Sequence, residues 1–156
     1  MLPAFHQKEI GIPDYILLKP AKLDAEEWGI MCRHPVYGAE IIGRHHSELM
    51  VLSREIALHH HEKWDGSGYP QGLAGEEIPL AARIVAIADV FDALTTKRPY
   101  KSAWSVAEAV EYIDGQKGRH FDPNLVSLFH EVLPRILMVR EKYAEETAQV
   151  QQQQTS

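Results

Sequence analysis

The sequence has a single cysteine, Cys32, among its 156 residues, which excludes an internal disulfide and favours a reducing compartment. It has no apolar run near the ~20 residues of a membrane-spanning helix, and residues 1–9 do not resemble a signal peptide. A net charge of −6 disfavours broad binding to nucleic acid polymers or anionic membranes. These absences predict a cytoplasmic protein without membrane insertion.

Helix-start signals recur along the chain, whereas no convincing strand pattern is present, so we predict an all-α domain. Capping-box spacing of Asp24 with Glu27 predicts a helix over about 25–33. The same spacing after Ser105 predicts a helix to about Ile113. Two further helices are expected to begin at prolines, which suit the first helical position; these are Pro35 and Pro123.

Two more helices and a loop are predicted in the middle of the chain. A helix capped by Ser47 is expected to face the core with a stripe formed by Leu49, Leu52, Ile56 and His60. The stretch from Pro79 to about Thr96 is apolar nearly all round, which marks a central buried helix. Glycines and a proline between 64 and 72 break any helix there and predict a long, shaped loop.

Four residues of this pattern could hold a metal. Asp89 lies inside the buried helix, where an unpartnered carboxylate costs several kcal/mol. His60 and His61 end the preceding helix and His34 lies at a helix junction, and such imidazole and carboxylate groups suit zinc, iron or manganese. Hydrogen-bonded core histidines remain the alternative. His59 is predicted to face solvent, on another side of its helix.

Three cations follow the buried helix in the segment Lys97-Arg98-Pro99-Tyr100-Lys101. They could complement the negative end of the helix dipole. They could equally form a phosphate clamp, because arginine presents paired donors to phosphate oxygens and lysine adds a point charge. Composition alone does not decide between helix-end neutralisation and a phosphate clamp.

Consecutive blocks of the chain carry a family pattern: Ile10-Gly-Ile-Pro-Asp14, Ile16-Leu-Leu-Lys-Pro20, His34-Pro-Val-Tyr-Gly38-Ala-Glu40, His60-His-Glu-Lys-Trp-Asp-Gly-Ser-Gly-Tyr-Pro70, Ile84-Val-Ala-Ile-Ala-Asp-Val-Phe-Asp-Ala-Leu94, Arg98-Pro-Tyr-Lys101 and His120-Phe-Asp-Pro123. Through these blocks the sequence resembles HD-GYP domains, a branch of the HD metal-dependent phosphohydrolases. The resemblance implies an HD-type helical bundle with a long Gly-Tyr-Pro loop, holding two or three divalent metals, most commonly iron or manganese.

The same resemblance implies roles for individual residues. The metal-ligand positions match His34, His60, His61 and Asp89, the phosphate-contacting positions match Arg98 and Lys101, and the loop for substrate or partner matches Gly68, Tyr69 and Pro70. The implied activity is hydrolysis of cyclic di-GMP in bacterial second-messenger signalling. The alternative is a non-catalytic module that binds cyclic di-GMP or a diguanylate cyclase domain. Self-association is a further expectation.

The chain departs from the family pattern before Ile10. Family members carry a His-Asp pair and a lysine there, where this chain has Phe5-His6-Gln7-Lys8-Glu9. The resemblance therefore implies a non-matching lead-in over 1–9, an amino-terminally incomplete domain over 10–138, and a polar tail over 139–156 that is helical and then disordered. Because the missing aspartate bridges metals in the family, weakened hydrolysis by this chain is implied.

The clamp interpretation predicts that the double variant Arg98→Ala, Lys101→Ala binds cyclic di-GMP more weakly, with unchanged helix content. Each lost charge-assisted phosphate contact should cost about 1.5–3 kcal/mol of binding free energy. Titration calorimetry measures the affinity and circular dichroism the helix content. Unchanged affinity would leave helix-end neutralisation as the better interpretation.

Overall fold

A computed structural model describes residues 11–96 and 102–154. The helices found in this part are α1 (Asp14–Leu17), α2 (Ala25–Met31), α3 (His34–Ile42), α4 (Glu48–His59), α5 (Leu80–Thr95), α6 (Val106–Gly115) and α7 (Pro123–Gln154), with a 3-10 turn at Gly75–Glu77. The described residues contain no β-strand, only isolated bridges joining Asp65 to Ala74 and Lys117 to Phe121. The predicted all-α class is confirmed.

Helices α2 and α6 begin where local side-chain chemistry predicted, whereas α3 begins at His34, one residue before the expected Pro35. The Asp24 carboxylate accepts the N–H of Glu27 at 2.9 Å, and the Glu27 carboxylate accepts the N–H of Asp24 at 2.8 Å, so the capping box is complete. The capping box of Ser105 with Glu108 is also present at the start of α6. Ser47 occupies the N-cap of α4 but makes no capping hydrogen bond through its side chain.

The described residues up to Asp122 form one compact unit, and those from Pro123 onward form a second. In the first unit α5 packs against α4 and α6. The core face of α5 consists mainly of small and branched side chains, namely Ala82, Ala86, Ile87, Val90, Phe91, Ala93 and Leu94. This composition lets neighbouring helices approach closely, as interior packing density requires.

The predicted core stripe on α4 is wrong at two of its four positions. Leu49 is 70% exposed and Leu52 is 43% exposed. The contact between α3 and α4 is centred elsewhere, because a Cβ added to Gly38 would lie only 3.5 Å from the Cβ of Ala57. Close approach at this glycine turns the Ala57 face of α4 toward α3. The prediction therefore fails at Leu49 and Leu52, in the first half of α4.

The second unit consists of α7, which contains Pro134 within the helix and continues to Gln154. The predicted domain limits at 9/10 and 138/139 stay predictions. Within the described residues, no helix combines the length and apolarity that crossing a membrane would require.

A buried ion pair joins α5 to the residue that ends the first unit. A guanidinium nitrogen of Arg83 donates to Oδ2 of Asp122 at 2.6 Å, and the two side chains are only 14% and 4% exposed. The Arg83 guanidinium also lies over the ring of Trp64, 5.7 Å from its centroid. Arg83 thus ties three separate segments of the chain together.

Replacing Arg83 with methionine should lower the free energy of unfolding by about 3–5 kcal/mol, because the Asp122 carboxylate would lose a partner while buried. Urea denaturation followed by circular dichroism measures this loss. The matched control is Arg119→Met, which removes an exposed arginine and should change stability by no more than ~0.5 kcal/mol. Equal stability of the two variants would show that the buried pair contributes nothing.

Candidate metal centre

Three histidines from two helix ends meet in the first unit. His34 is the first residue of α3, and His60 and His61 directly follow the last residue of α4. Each can offer one ring nitrogen as a ligand atom, and the three atoms all lie within 4.8 Å of one another. The fold thus brings together three of the four side chains expected as metal ligands.

Backbone carbonyls fix two of the three rings. Nδ1 of His34 lies 2.8 Å from the carbonyl oxygen of Met31, and Nδ1 of His60 lies 2.9 Å from that of Ala57. A carbonyl oxygen only accepts, so each Nδ1 carries the hydrogen and each Nε2 keeps a lone pair. The two Nε2 atoms lie 3.4 Å apart. This arrangement fits a divalent cation. A histidine that binds a metal through one ring nitrogen usually donates the N–H of its other ring nitrogen to a carboxylate or a backbone carbonyl.

The electrostatics of the cluster disfavour the charged forms of His60 and His61. Burial, followed by the neighbouring His60, His34 and His120 rings and Lys63, lowers the pKa of His61 to about 2. Burial and His34 also lower the pKa of His60, against opposing contributions from backbone carbonyls and Asp89. A metal binds the neutral form of imidazole, so no proton needs to be displaced from these rings at neutral pH.

Asp89, the fourth expected ligand, lies in the second half of α5 and is partly buried. Its charge acts to raise the pKa of His60, which places the carboxylate in electrostatic range of the cluster. It does not belong to the group whose ligand atoms all lie within 4.8 Å of one another. The carboxylate is therefore a neighbour of the three imidazoles rather than a member of the tight group.

The Gly-Tyr-Pro loop folds back over the histidines. The ring of Tyr69 stacks on His61, with centroids 4.9 Å apart and planes at 26°, and meets His34 edge-on at 6.3 Å. Trp28, which is 48% exposed, also contacts Tyr69 edge-on, at 5.9 Å between ring centroids. Gly68 packs so tightly that a Cβ would lie 2.4 Å from the backbone nitrogen of Lys63. Any side chain at this position would force the loop away.

Sequence reasoning missed Glu62, whose residue surface is only 2% exposed. Its two carboxylate oxygens accept the backbone N–H groups of Gln71 at 2.8 Å and Leu73 at 3.0 Å. The sequence feature that could have identified Glu62 is its position directly after the two candidate ligands His60 and His61. The loop residues that satisfy it lie nine and eleven positions later and donate through the backbone, so their side chains carry no sign of the contact.

The prediction that His59 faces solvent is wrong, since this residue is only 9% exposed. The chain reverses at His59, whose carbonyl accepts the N–H of Glu62 at 3.0 Å. A helical wheel of α4 alone does not describe surroundings created by such a reversal. Burial lowers the pKa of His59, and its buried Nδ1 finds no hydrogen-bond partner among the residues that the structure describes.

Two sets of expected site residues lie outside the described part of the chain. One is the pair Arg98 and Lys101. The other is Phe5-His6-Gln7-Lys8-Glu9, which stands where the family has its His-Asp pair and lysine. Their assigned roles stay predictions.

A family model described as an HD domain matches residues 2–125. The chain belongs to the HD-domain family. The predicted HD-GYP branch is confirmed by relatives named cyclic di-GMP phosphodiesterases from Xanthomonas campestris, Thermotoga maritima and Vibrio cholerae. Family membership implies dependence on a divalent metal, and the histidine cluster is the candidate place for it among the described residues.

The relatives are considerably longer than this chain. It is 53% identical over 132 residues to the 3'3'-cGAMP-specific phosphodiesterase 2 of Vibrio cholerae, covering 85% of this chain and 25% of that protein. It is 52% identical over 124 residues to the cyclic di-GMP phosphodiesterase response regulator RpfG of Xanthomonas campestris, covering 80% and 33%. A crystal structure of cyclic GMP-AMP specific phosphodiesterases from Vibrio cholerae matches with a TM-score of 0.58 and 27% identity, covering 78% of this chain and 28% of that one.

His120, beside the cluster, should make stability depend on pH. Burial and, secondarily, Lys63 lower its pKa from 6.5 to about 4, while Asp65 acts in the opposite direction. Between these values the unfolded chain binds a proton that the folded chain does not, so this stabilisation is present above pH 6.5 and is lost as pH falls toward 4. The loss should reach about 3 kcal/mol at most.

Urea denaturation of metal-free protein at pH 7 and pH 4.5 measures this effect. His120→Gln should show a smaller fall in unfolding free energy between the two pH values than the unaltered chain. His46→Gln, which replaces an exposed loop histidine, serves as the control and should leave the fall unchanged. The same fall in His120→Gln as in the unaltered chain would contradict the assignment.

Proposed function

We propose that this chain is the metal-binding part of a cyclic dinucleotide phosphodiesterase, with cyclic di-GMP as the first candidate substrate. The main support for this proposal is the cluster of three imidazoles whose ligand atoms all lie within 4.8 Å of one another. Relatives named for cyclic di-GMP and for 3'3'-cGAMP supply the substrate class. The activity would lie in the cytoplasm, as the composition predicts.

In this proposal His34, His60, His61 and Asp89 hold the metals. His34 and His60 present Nε2 because their Nδ1 atoms are engaged by carbonyls. Asp89 would add the negative charge that offsets a divalent cation. Divalent metal, when bound, supplies Lewis acidity to the phosphodiester and lowers the pKa of water. Iron or manganese is our choice, because a mixed imidazole and carboxylate set suits both ions.

The other expected site residues act on the substrate. Tyr69, stacked on His61, would cover one side of the cluster and limit the access of bulk water. Arg98 and Lys101 would contact phosphate oxygens of the dinucleotide. A diguanylate cyclase partner and self-association stay predictions.

The proposal predicts that metal content and hydrolysis depend together on the cluster. Protein reconstituted anaerobically with Fe²⁺ or Mn²⁺ should hold metal and linearise cyclic di-GMP, and a chelator should abolish both properties. His60→Ala should lower metal affinity by more than about 100-fold, because it removes a direct ligand rather than a supporting group. The matched control His46→Ala should behave like the unaltered chain.

Elemental analysis measures bound metal, and chromatography follows hydrolysis of cyclic di-GMP and of 3'3'-cGAMP in parallel. A second arm replaces residues 1–9 with a segment ending in His-Asp-x-Gly-Lys before Ile10, and metal content and turnover should then rise together. Hydrolysis that survives the chelator or His60→Ala would refute the proposal. Metal-independent binding of cyclic di-GMP without turnover would favour the binding-module alternative.

A further inference from the structure

One histidine of the cluster is held differently from the other two. Carbonyl oxygens of Met31 and Ala57 fix the rings of His34 and His60 through Nδ1. In residues 11–96 and 102–154, by contrast, no hydrogen bond engages a ring nitrogen of His61. The described contacts of this ring are with other rings, namely His60, His34 and Tyr69, at centroid distances of 4.1, 4.8 and 4.9 Å. Of these three, Tyr69 alone is not itself a candidate ligand.

The aromatic ring of Tyr69 is in place to orient His61. It stacks on His61 at a centroid distance of 4.9 Å with planes at 26°, a geometry in which aromatic pairs attract. The backbone of the same residue reinforces the contact, because the N–H of Tyr69 donates to the carbonyl of His61 at 3.2 Å. Residue 69 thus holds residue 61 by both its ring and its main chain.

Glu62 in turn determines where Tyr69 lies. Both of its carboxylate oxygens accept backbone N–H groups, from Gln71 and Leu73, just beyond the Tyr-Pro pair. On the near side, Gly68 packs directly on the Glu62 backbone, where a Cβ would lie 2.5 Å from its Cα. The loop is therefore anchored to Glu62 on both sides of Tyr69.

Filling space in the core does not explain why a carboxylate occupies position 62. A buried carboxylate loses hydration, and apolar residues fill core space without that cost. The carboxylate is useful where two backbone donors of a loop must be held at one point, as happens here. Glu62 directly follows His61 in the chain, so the anchor of the loop lies next to the candidate ligand.

We propose that Glu62 and Tyr69 are positioning residues for His61, with ring stacking in place of the carbonyl hydrogen bond that orients His34 and His60. The Gly-Tyr-Pro loop then supports the metal centre in addition to any contact with substrate. The inference rests on the proposed function, in which His61 is a metal ligand.

The first test measures Mn²⁺ affinity by titration calorimetry on the full chain. Tyr69→Leu and Glu62→Gln should each weaken binding about 10–100-fold, the usual effect of losing a group that supports a ligand. Glu62→Gln replaces one acceptor oxygen with a donor that opposes a backbone N–H. Two matched controls should retain the affinity: Tyr69→Phe, which keeps the ring, and Glu76→Gln, which removes an exposed carboxylate of the same loop.

The second test needs no metal. Protons of an imidazole stacked on a tyrosine ring are shielded, so their NMR resonances in the metal-free chain report the contact directly. In Glu62→Gln, which still contains Tyr69, the His61 ring protons should move downfield toward their positions in Tyr69→Leu. In Tyr69→Phe and Glu76→Gln they should stay where they are. Tyr69→Leu and Tyr69→Phe decide the role of the stacking ring by themselves if Glu62→Gln does not fold.

The outcomes separate this inference from the proposed function. No Mn²⁺ binding by the unaltered chain would reject the metal site, while the shielding measurement would still judge the role of Glu62. Normal metal affinity in both Tyr69→Leu and Glu62→Gln would overturn the positioning role. So would weakened affinity in Glu62→Gln with unshifted His61 resonances, or a loss in Tyr69→Phe as large as that in Tyr69→Leu, because the stacking ring would then not be the cause.

Discussion

Mutual repulsion among protonated imidazoles is the constraint on which the arrangement depends. His34, His60 and His61 offer ligand atoms within 4.8 Å of one another. His34 helps to lower the pKa of His60, and both of these rings help to lower the pKa of His61. The lowered pKa values favour neutral rings at His60 and His61, and the neutral ring is also the form that a metal binds. The start of α3, the end of α4 and the loop after it are all organised around these three rings.

Polar groups, rather than large apolar ones, define the positions of the connecting segments. The core side of α5 is built largely from alanine and branched residues, which permit close packing but specify little about the loops. The loop after α4 is held by the Glu62 carboxylate, and the end of the first unit by Arg83 with Asp122. The carboxylates of Glu62 and Asp122 both accept short hydrogen bonds, as burial of an ion demands.

The sequence predicted interactions between residues that are close together in the chain better than interactions between distant residues. Capping boxes at Asp24 and Ser105 involve residues three apart, so local spacing was sufficient. The exposed side chain of Leu49 and the burial of His59 depend on which neighbours α4 meets, and a single-helix pattern contains no such information. That His34 lies beside His60 came from the family resemblance, because 26 residues separate them in the chain. Glu62 was missed since its partners are backbone groups.

The edge contact between Trp28 and Tyr69 has an optical consequence. The indole of Trp28 is half exposed and touches the same tyrosine ring that stacks on His61. Indole emission responds to the polarity and the quenching groups around it. A rearrangement of His61 that moves Tyr69 should therefore change the fluorescence of Trp28. Trp28 is therefore an intrinsic fluorescent probe of the metal centre. Ion uptake can be timed by stopped-flow fluorescence on unlabelled protein, with Trp28→Phe identifying which of the three tryptophans carries the signal.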